Sequence, residues 1–281
     1  MKFKIIFILI ISLLLISCTE NGDESQDFIL NEGSGYELSF DYSRSVPHAQ
    51  NHLLRLTFSN LGTHDINNLE FNIQDNAFVN FSNNTIETDI SGRSLEDPLP
   101  NTFEADINFH TTHKDDLNLR DINSRDTNTR WSVDFDYSTS DTLDVCLDDD
   151  GDVCNFVSST SDKQGSPIQV VSTNWDIITY SDEISILYEI HLDNTEVGSP
   201  YVYMNGEKEN NYVKVNSINI GNQTCDLIGS ENGLVSIGSD KLIECELKRD
   251  VDSEGMLTFM NIDFEYYYQI SGSIPLEIIY R

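Results

Sequence analysis

The stretch Arg130-Trp131-Ser132-Val133-Asp134-Phe135-Asp136-Tyr137 decides the fold class of this chain. Its large apolar side chains occupy every second position, and polar side chains fill the positions between them. Successive side chains of a β-strand point to opposite faces, so this period of two predicts a strand with one buried face. A helix would repeat its apolar positions every three or four residues instead.

Similar alternation continues on both sides of this stretch. Turn signals such as Asn-Gly, Gly-Ser and Asp-Gly separate the alternating runs. No part of the sequence after residue 18 combines helical periodicity with helix caps, so we predict an all-β chain. The further predicted strands are centred on residues 36–40, 54–58, 69–73, 103–109, 168–170, 184–190, 213–220, 242–247, 257–266 and 276–280.

The two halves of the chain also contain similar short sequences. Asp134-Phe135-Asp136-Tyr137 is matched by Asp263-Phe264-Glu265-Tyr266, an offset of about 130 residues that is too long for a solenoid repeat. We therefore predict two tandem Ig-like β-sandwich domains, at residues 35–157 and 166–281. The polar, Ser- and Gly-bearing segment 158–166 marks the boundary between them.

The N-terminus predicts export. Residues 1–17 have a basic head, an apolar run and a small residue at the end, which is the order of a secretory signal peptide. The apolar run spans about a dozen residues, whereas a membrane-spanning helix needs roughly 20. Leu15-Ile16-Ser17-Cys18 resembles the lipobox of prokaryotic lipoproteins, which implies lipidation of Cys18; an ordinary signal peptide is the alternative. Residues 18–34 then hold the lipidated cysteine and a flexible linker.

The charge of the chain is strongly negative. Its 48 acidic residues against 16 Lys and Arg give a formal net charge of −32. Such a surface repels nucleic acid and anionic lipid headgroups, so neither is expected as a partner beyond the lipid on Cys18 itself. The acidic residues are spread along the whole chain, which favours a role in solubility over a dedicated cation site.

The remaining cysteines fit an oxidising compartment. With Cys18 assigned to lipid, four are left, and four cysteines allow three disulfide connectivities. We favour local pairing, Cys146 with Cys154 and Cys225 with Cys245, because each pair flanks a turn-rich segment. A four-cysteine zinc site is the alternative, but no Cys-x-x-Cys spacing supports it.

The second half of the sequence carries a family resemblance. Short motifs in residues 130–281 resemble a recurring pattern in exported proteins of small-genomed archaea, which carry Ig-like β domains. Where those proteins have Cys-Tyr, this chain has Phe135-Asp136. The resemblance implies fold and location, and no chemistry. Its motifs are Tyr137-Ser138-Thr139-Ser140, Asp144-Val145-Cys146-Leu147, Cys154, Gln164-Gly165-Ser166-Pro167-Ile168-Gln169-Val170, Cys225, Cys245, Phe264-Glu265-Tyr266-Tyr267-Tyr268 and Ser273-Ile274-Pro275-Leu276-Glu277-Ile278.

One acidic cluster is a candidate calcium loop. Asp148, Asp150 and Asp152 match the first three ligand positions of an Asp-x-Asp-Gly-Asp loop. Val153 stands where that loop requires Gly, and Ser159 stands where it requires a bidentate Glu. We therefore favour a solvated acidic turn, with calcium as the alternative, and we expect no other cofactor.

Catalytic patterns are not evident in the sequence. His110 and His113 lie near each other, with His64 as a possible third imidazole, but positions i and i+3 of a strand face opposite ways. There is no Gly-x-Ser-x-Gly motif, and acidic residues are too numerous for any one pair to stand out. We expect no enzymatic activity.

Two surface features remain as candidate sites. Tyr266-Tyr267-Tyr268 and Tyr201-Val202-Tyr203 are a candidate aromatic platform for a sugar or a protein, although packing is the more common use of such tyrosines. Asn80, Asn83 and Asn222 each begin a glycosylation triplet. Together these features predict a non-catalytic cell-surface lipoprotein with a structural or adhesive role. The alternative is a carbohydrate-binding module or a glycan-active enzyme.

Overall fold

The structure is a computed structural model that describes residues 25–29, 35–94, 96–113, 117, 122–147, 165–180, 183–228, 230, 232–237, 242–250 and 256–280. Within these ranges the chain forms strands and turns and no helix, so the prediction of an all-β fold is confirmed. The described residues accordingly include no helix with the length and hydropathy that a membrane span requires.

The described residues form nine strands between Ser25 and Leu147 and ten between Ile168 and Ile279. The first nine are β1 (Ser25–Ile29), β2 (Tyr36–Ser43), β3 (Ser45–Pro47), β4 (Asn51–Asn60), β5 (Ile66–Ile73), β6 (Val79–Phe81), β7 (Thr85–Ile90), β8 (Asn101–Thr111) and β9 (Ser124–Leu147). The others are β10 (Ile168–Thr179), β11 (Glu183–Asn194), β12 (Ser199–Met204), β13 (Glu207–Asn210), β14 (Tyr212–Ile220), β15 (Gln223–Thr224), β16 (Asp226–Ile228), β17 (Leu234–Ser236), β18 (Leu242–Asp250) and β19 (Met256–Ile279).

Strands β9 and β19 form a long two-stranded ribbon, referred to below as the central ribbon. Each strand has 24 residues. They pair antiparallel over their whole length, from Met256 opposite Leu147 to Ile279 opposite Ser124. One face of the ribbon is buried, because the alternation seen in the sequence puts every second side chain inward. The buried residues on β9 include Trp131, Val133, Phe135 and Tyr137.

The central ribbon is the middle of a ten-stranded sheet. On the β9 side the sheet continues with β5 and β7, from the first half of the sequence. On the β19 side it continues with β12 and β14, from the second half, and β3 pairs in parallel with the end of β19. Strands from both halves therefore share one sheet.

Two smaller antiparallel sheets supply the facing layers. One has the order β1-β2-β4-β8-β6, and the other has the order β10-β11-β18-β16. The first packs on the ribbon through aromatic rings. The ring centroids of Phe40 and Trp131 are 5.1 Å apart, and those of Tyr36 and Phe135 are 5.9 Å apart in an edge-to-face arrangement. Buried side chains of all three sheets belong to one hydrophobic cluster. Its burial is the main source of stability, because apolar burial contributes about 25 cal/mol per Å².

The structure adds two features to the predicted domain plan. Ser25–Ile29 pairs with β2, with Phe28 opposite Phe40, so a strand lies within the segment 18–34 that we predicted as flexible linker. The edge of β2 explains the strand, because its unpaired backbone groups can accept a further strand. The central ribbon also ties the two predicted domains together. Their number stays a prediction.

Candidate functional site

Several predicted site residues lie outside the described part of the chain. These are Cys18, the aspartates at 148, 150 and 152, and Cys154. The backbone of Cys146 pairs with that of Leu257, but its side chain is outside the description. Cys225 and Cys245 form a disulfide, with their Cα atoms 5.6 Å apart and both residues buried. This bond is one of the two that local pairing predicts.

The predicted glycosylation sites all lie on the surface. Asn80 is exposed at the middle of β6, Asn83 is exposed in the loop that follows it, and Asn222 is exposed in the turn after β14. Their acceptor amides are therefore accessible from solvent. Modification of any of them stays a prediction.

The histidines do not converge on a metal site. A ring nitrogen of His110 hydrogen-bonds Asn51 at 3.0 Å, while the ring of His64 lies 6.4 Å from that of Tyr137. His113 packs edge-on against His48. Across the described ranges, no three His, Cys, Asp or Glu side chains lie close enough together to hold a metal ion.

The two predicted tyrosine runs do meet in space. Tyr201, Tyr203 and Tyr267 form a cluster, referred to as the tyrosine cluster. The rings of Tyr201 and Tyr267 are stacked at 5.2 Å with a 20° interplanar angle. The ring of Tyr203 is nearly perpendicular to both, 5.2 Å from Tyr267 and 5.7 Å from Tyr201. Tyr203 is 55% exposed, whereas Tyr266 and Tyr268 point inward and are buried.

A tight hairpin holds two of these rings in place. β12 carries Tyr201 and Tyr203, and it pairs with β13. Asn205 and Gly206 connect the strands with φ angles of 54° and 87°, the left-handed values that a type I′ turn requires at both central residues. Asn-Gly is the preferred pair for this turn because both residues tolerate positive φ. The turn fixes the register of the hairpin.

The tyrosine cluster lies where two strands, β12 and β14, pair with successive parts of the same edge of β19. β12 pairs with β19 through Tyr201 opposite Tyr267, and β14 begins its own pairing through Lys214 opposite Glu265. A cavity of ≈ 380 Å³ opens at this point, and we refer to it as the tyrosine cleft. This volume falls within the range of small-ligand sites. The lining residues that matter here are Tyr203, Lys214, Glu265, Tyr267, Asp136 and Ser138.

The two carboxylates of the cleft have different partners. Lys214 Nζ lies 2.5 Å from Glu265 Oε1, and this contact holds the pKa of Glu265 below its usual range. Asp136 Oδ2 accepts a hydrogen bond of 2.7 Å from the Asn68 amide. Among the described residues no basic side chain forms an ion pair with Asp136. Its negative charge is therefore not neutralised by a basic side chain of the described residues.

A lysine that is not among the lining residues of the cleft already contacts the tyrosine cluster. Lys208 Nζ lies 3.6 Å from the centroid of the Tyr201 ring and donates a hydrogen bond of 3.0 Å to Gln269 Oε1. The Tyr201 hydroxyl donates to Asp134 Oδ1 at 3.2 Å. Burial, followed by the charge of Asp134, raises the pKa of Tyr201, so the hydroxyl stays protonated. The ring electrons of this cluster thus already interact with one ammonium group.

A second group of polar residues is buried near the start of β10. Asp141 is 1% exposed, and its carboxylate accepts a hydrogen bond of 2.9 Å from the Val170 backbone amide. Tyr266 hydrogen-bonds the Ser166 hydroxyl at 3.0 Å. Burial raises the pKa of Asp141 to about 6, although the Val170 hydrogen bond opposes the change. These contacts attach the first residues of β10 to the central ribbon.

Comparisons with known proteins identify no family. No family model matches the chain, and no curated protein matches it. Among solved structures, the secreted serine protease VesC from Vibrio cholerae shows a TM-score of 0.20 and 11% sequence identity. The match covers 84% of this chain and 50% of the protease chain. At this TM-score the likeness carries no argument about fold or activity.

Sequence reasoning found the tyrosines of the cleft and missed its polar wall. Asp136 and Ser138 occupy the outward positions of β9, and Glu265 occupies an outward position of β19 next to Tyr267. Outward polar residues on a strand are ordinary, so nothing in the sequence marked these three. Glu265 is two residues from Tyr267 on β19, whereas only the pairing of β9 with β19 puts Asp136 and Ser138 beside them.

Proposed function

We propose that the protein is an exported, lipid-anchored module of two Ig-like β-sandwich domains that binds another envelope or cell-surface component without catalysis. The signal-peptide pattern at 1–17 and the lipobox cysteine Cys18 support the location. The tyrosine cleft is the single observation that carries the binding role. Exposed aromatic rings beside a few polar groups in a concave site are the usual composition of a binding pocket.

The state of Glu265 argues against one role in glycoside hydrolysis, that of the general acid. Such hydrolysis requires one carboxylic acid that stays protonated near neutral pH, which demands a raised pKa. Lys214 instead lowers the pKa of Glu265 and keeps it ionised. The cleft therefore offers Glu265 as a fixed negative charge and a hydrogen-bond acceptor.

Carbohydrate binding is the second candidate function. The exposed ring of Tyr203 offers a flat surface on which a sugar ring can stack. Asp136, Ser138 and Asn67 line the same cleft and offer hydrogen-bond partners for hydroxyl groups. A glycan array with the full chain tests this candidate, since binding that is lost in Tyr203→Ala would support it.

The binding role is tested on envelope preparations of the cells that produce the protein. The full chain, solubilised in mild detergent, is titrated against them, and saturation is measured. Tyr203→Ala is compared with Tyr180→Ala, which makes the same change at a tyrosine that is 54% exposed outside the cleft. We expect saturable binding that weakens in Tyr203→Ala alone. Equal behaviour of the two variants contradicts a role for the cleft, and release of reducing sugars contradicts the non-catalytic assignment.

The location is tested through Cys18. The wild-type chain should incorporate radiolabelled palmitate and partition with membranes, because two acyl chains give stable anchoring. Cys18→Ala should incorporate none and appear in the soluble exported fraction. Label in both proteins, or in neither, contradicts lipidation at this residue.

A further inference from the structure

We infer that the tyrosine cleft binds an ammonium group, of the kind carried by a lysine side chain of a partner protein or by a small amine. This inference rests on the proposed binding function and adds the chemical class of the ligand. Three observations support it: the geometry of the rings, the charge on Asp136 and the charge of the whole chain.

The rings provide two walls suited to a cation. Tyr203 and Tyr267 both line the cleft, with their planes 76° apart and their centroids 5.2 Å apart. A cation in the corner between two such rings meets the negative face of one ring while it contacts the other. Tyr201, stacked on Tyr267, already carries the ammonium of Lys208 at 3.6 Å from its centroid. The same cluster thus shows the interaction once within the protein.

Asp136 supplies a charge for the ligand to neutralise. Its only described hydrogen-bond donor is the neutral amide of Asn68, whereas Glu265 already has Lys214. The electric field of Asp136 reaches the ring of Tyr267. Burial is the main cause of the raised pKa of Tyr267, and the negative charge of Asp136 raises it further. An ammonium group placed against Tyr203 and Tyr267 would therefore find an acceptor without displacing a lysine of the protein.

The whole chain attracts cations to this site. A net charge of −32 raises the local concentration of positively charged ligands and speeds their association. A neutral sugar gains nothing from this field. A negative charge alone would draw cations to any part of the surface, so the prediction concerns the cleft, where the aromatic wall and the carboxylate coincide.

Calorimetric titration of the full chain in mild detergent tests the ligand class. One probe is the tripeptide acetyl-Lys-Lys-Lys-amide, and the matched control is the same tripeptide with all three lysines Nε-acetylated. A second probe, n-butylamine, carries the ammonium without the peptide. We expect the charged tripeptide to bind and the acetylated one to fail. Binding of n-butylamine as well assigns a small amine, and its failure assigns a lysine within a protein segment.

Variants locate the binding. Asp136→Asn should weaken the affinity for the charged tripeptide about tenfold or more, because the ammonium loses a charged hydrogen-bond acceptor. Tyr203→Leu, which keeps an apolar side chain, should weaken it on the order of fivefold, and Tyr203→Phe should change it little. Glu104→Gln and Tyr180→Leu are the controls, since each makes the same chemical change at an exposed site outside the cleft.

Several results would overturn the inference. Equal binding of the charged and acetylated tripeptides would do so, as would an equal loss in Asp136→Asn and Glu104→Gln. If neither the charged tripeptide nor n-butylamine binds while envelope binding still depends on Tyr203, the ammonium inference fails and the proposed binding function stands. If envelope binding itself does not depend on Tyr203, the proposed function fails first.

Discussion

Replacing Asp141 with Asn should stabilise the protein at neutral pH. The carboxyl group of Asp141 is buried and 1% exposed, and its pKa is raised from 3.8 to about 6. Asn has nearly the same shape, and its carbonyl oxygen can accept the hydrogen bond that the Val170 amide donates to Asp141. The substitution therefore removes a buried charge and keeps the contact that fixes β10.

The magnitude follows from proton linkage. Below pH 3.8 Asp141 is neutral in both the folded and the unfolded chain, so the full favourable contribution of the neutral group is present. Between pH 3.8 and 6 the unfolded chain loses this proton first, and the free energy of unfolding falls as the pH rises. Above the folded pKa the loss is complete, and it amounts to about 3 kcal/mol. Asp141→Asn should gain up to that amount at pH 7 and almost none below pH 4.

Urea unfolding of the full chain from pH 3.5 to 8 measures this effect. The quantity of interest is the difference between variant and wild type, since the high net charge changes the stability of both with pH. Asp144→Asn is the control: it removes the same charge from an exposed position of β9. Its difference from wild type should be a few tenths of a kcal/mol. The reasoning is refuted if Asp141→Asn is less stable than wild type at pH 7, or if its difference from wild type does not change with pH.

Three further predictions concern stability. Gly272→Ala should cost about 1–3 kcal/mol of unfolding free energy, because its Cβ would lie 2.6 Å from the buried Trp131 ring; exposed Ser271→Ala should cost little. The double variant Cys225→Ala/Cys245→Ala should lose about 3 kcal/mol in urea unfolding, as expected for a disulfide closing a loop of this size; an unchanged midpoint would contradict a formed bond. Calcium and magnesium at equal millimolar concentrations should shift Tm equally, in wild type and in Asp150→Asn, because the loop lacks two calcium-loop residues; a calcium-specific rise in wild type alone would establish the site.

The local structure of this protein is readable from its sequence. Trp131, Val133, Phe135 and Tyr137 are all buried on one face of β9, as their spacing predicts. The same spacing explains why Tyr267 is outward while Tyr266 and Tyr268 are buried. It also contains a signal that we did not use. Asp141 has the inward parity of β9, four positions after Tyr137, and a carboxylate at an inward position indicates a buried polar contact.

The long-range pairing was not readable. The ribbon joins residues as far apart as Ser124 and Ile279, and strand alternation says nothing about which strand lies opposite which. The tyrosine cleft depends on this pairing. Its tyrosines stand out in the sequence as two short runs, whereas Asp136 becomes part of the site only because β9 pairs with β19. The short strand β1 was missed for a related reason: five residues carry little periodic signal, and only the edge of β2 makes them a strand.

The central ribbon has a consequence for the order in which the protein folds. Among the described strands β3 pairs with β19 alone, at Glu277–Ile279, and Trp131 lies opposite Gly272. These parts of the sheet therefore cannot form until the second half of the chain is present. Contacts between residues so far apart in sequence make folding slow. The chain must lose the entropy of closing a long loop before these contacts form and lower the free energy. While the chain is being synthesised, the early strands would have unpaired edges until the later strands are made. A chain that stalls before β19 emerges would present an open strand edge to its neighbours, which is the form most prone to aggregate.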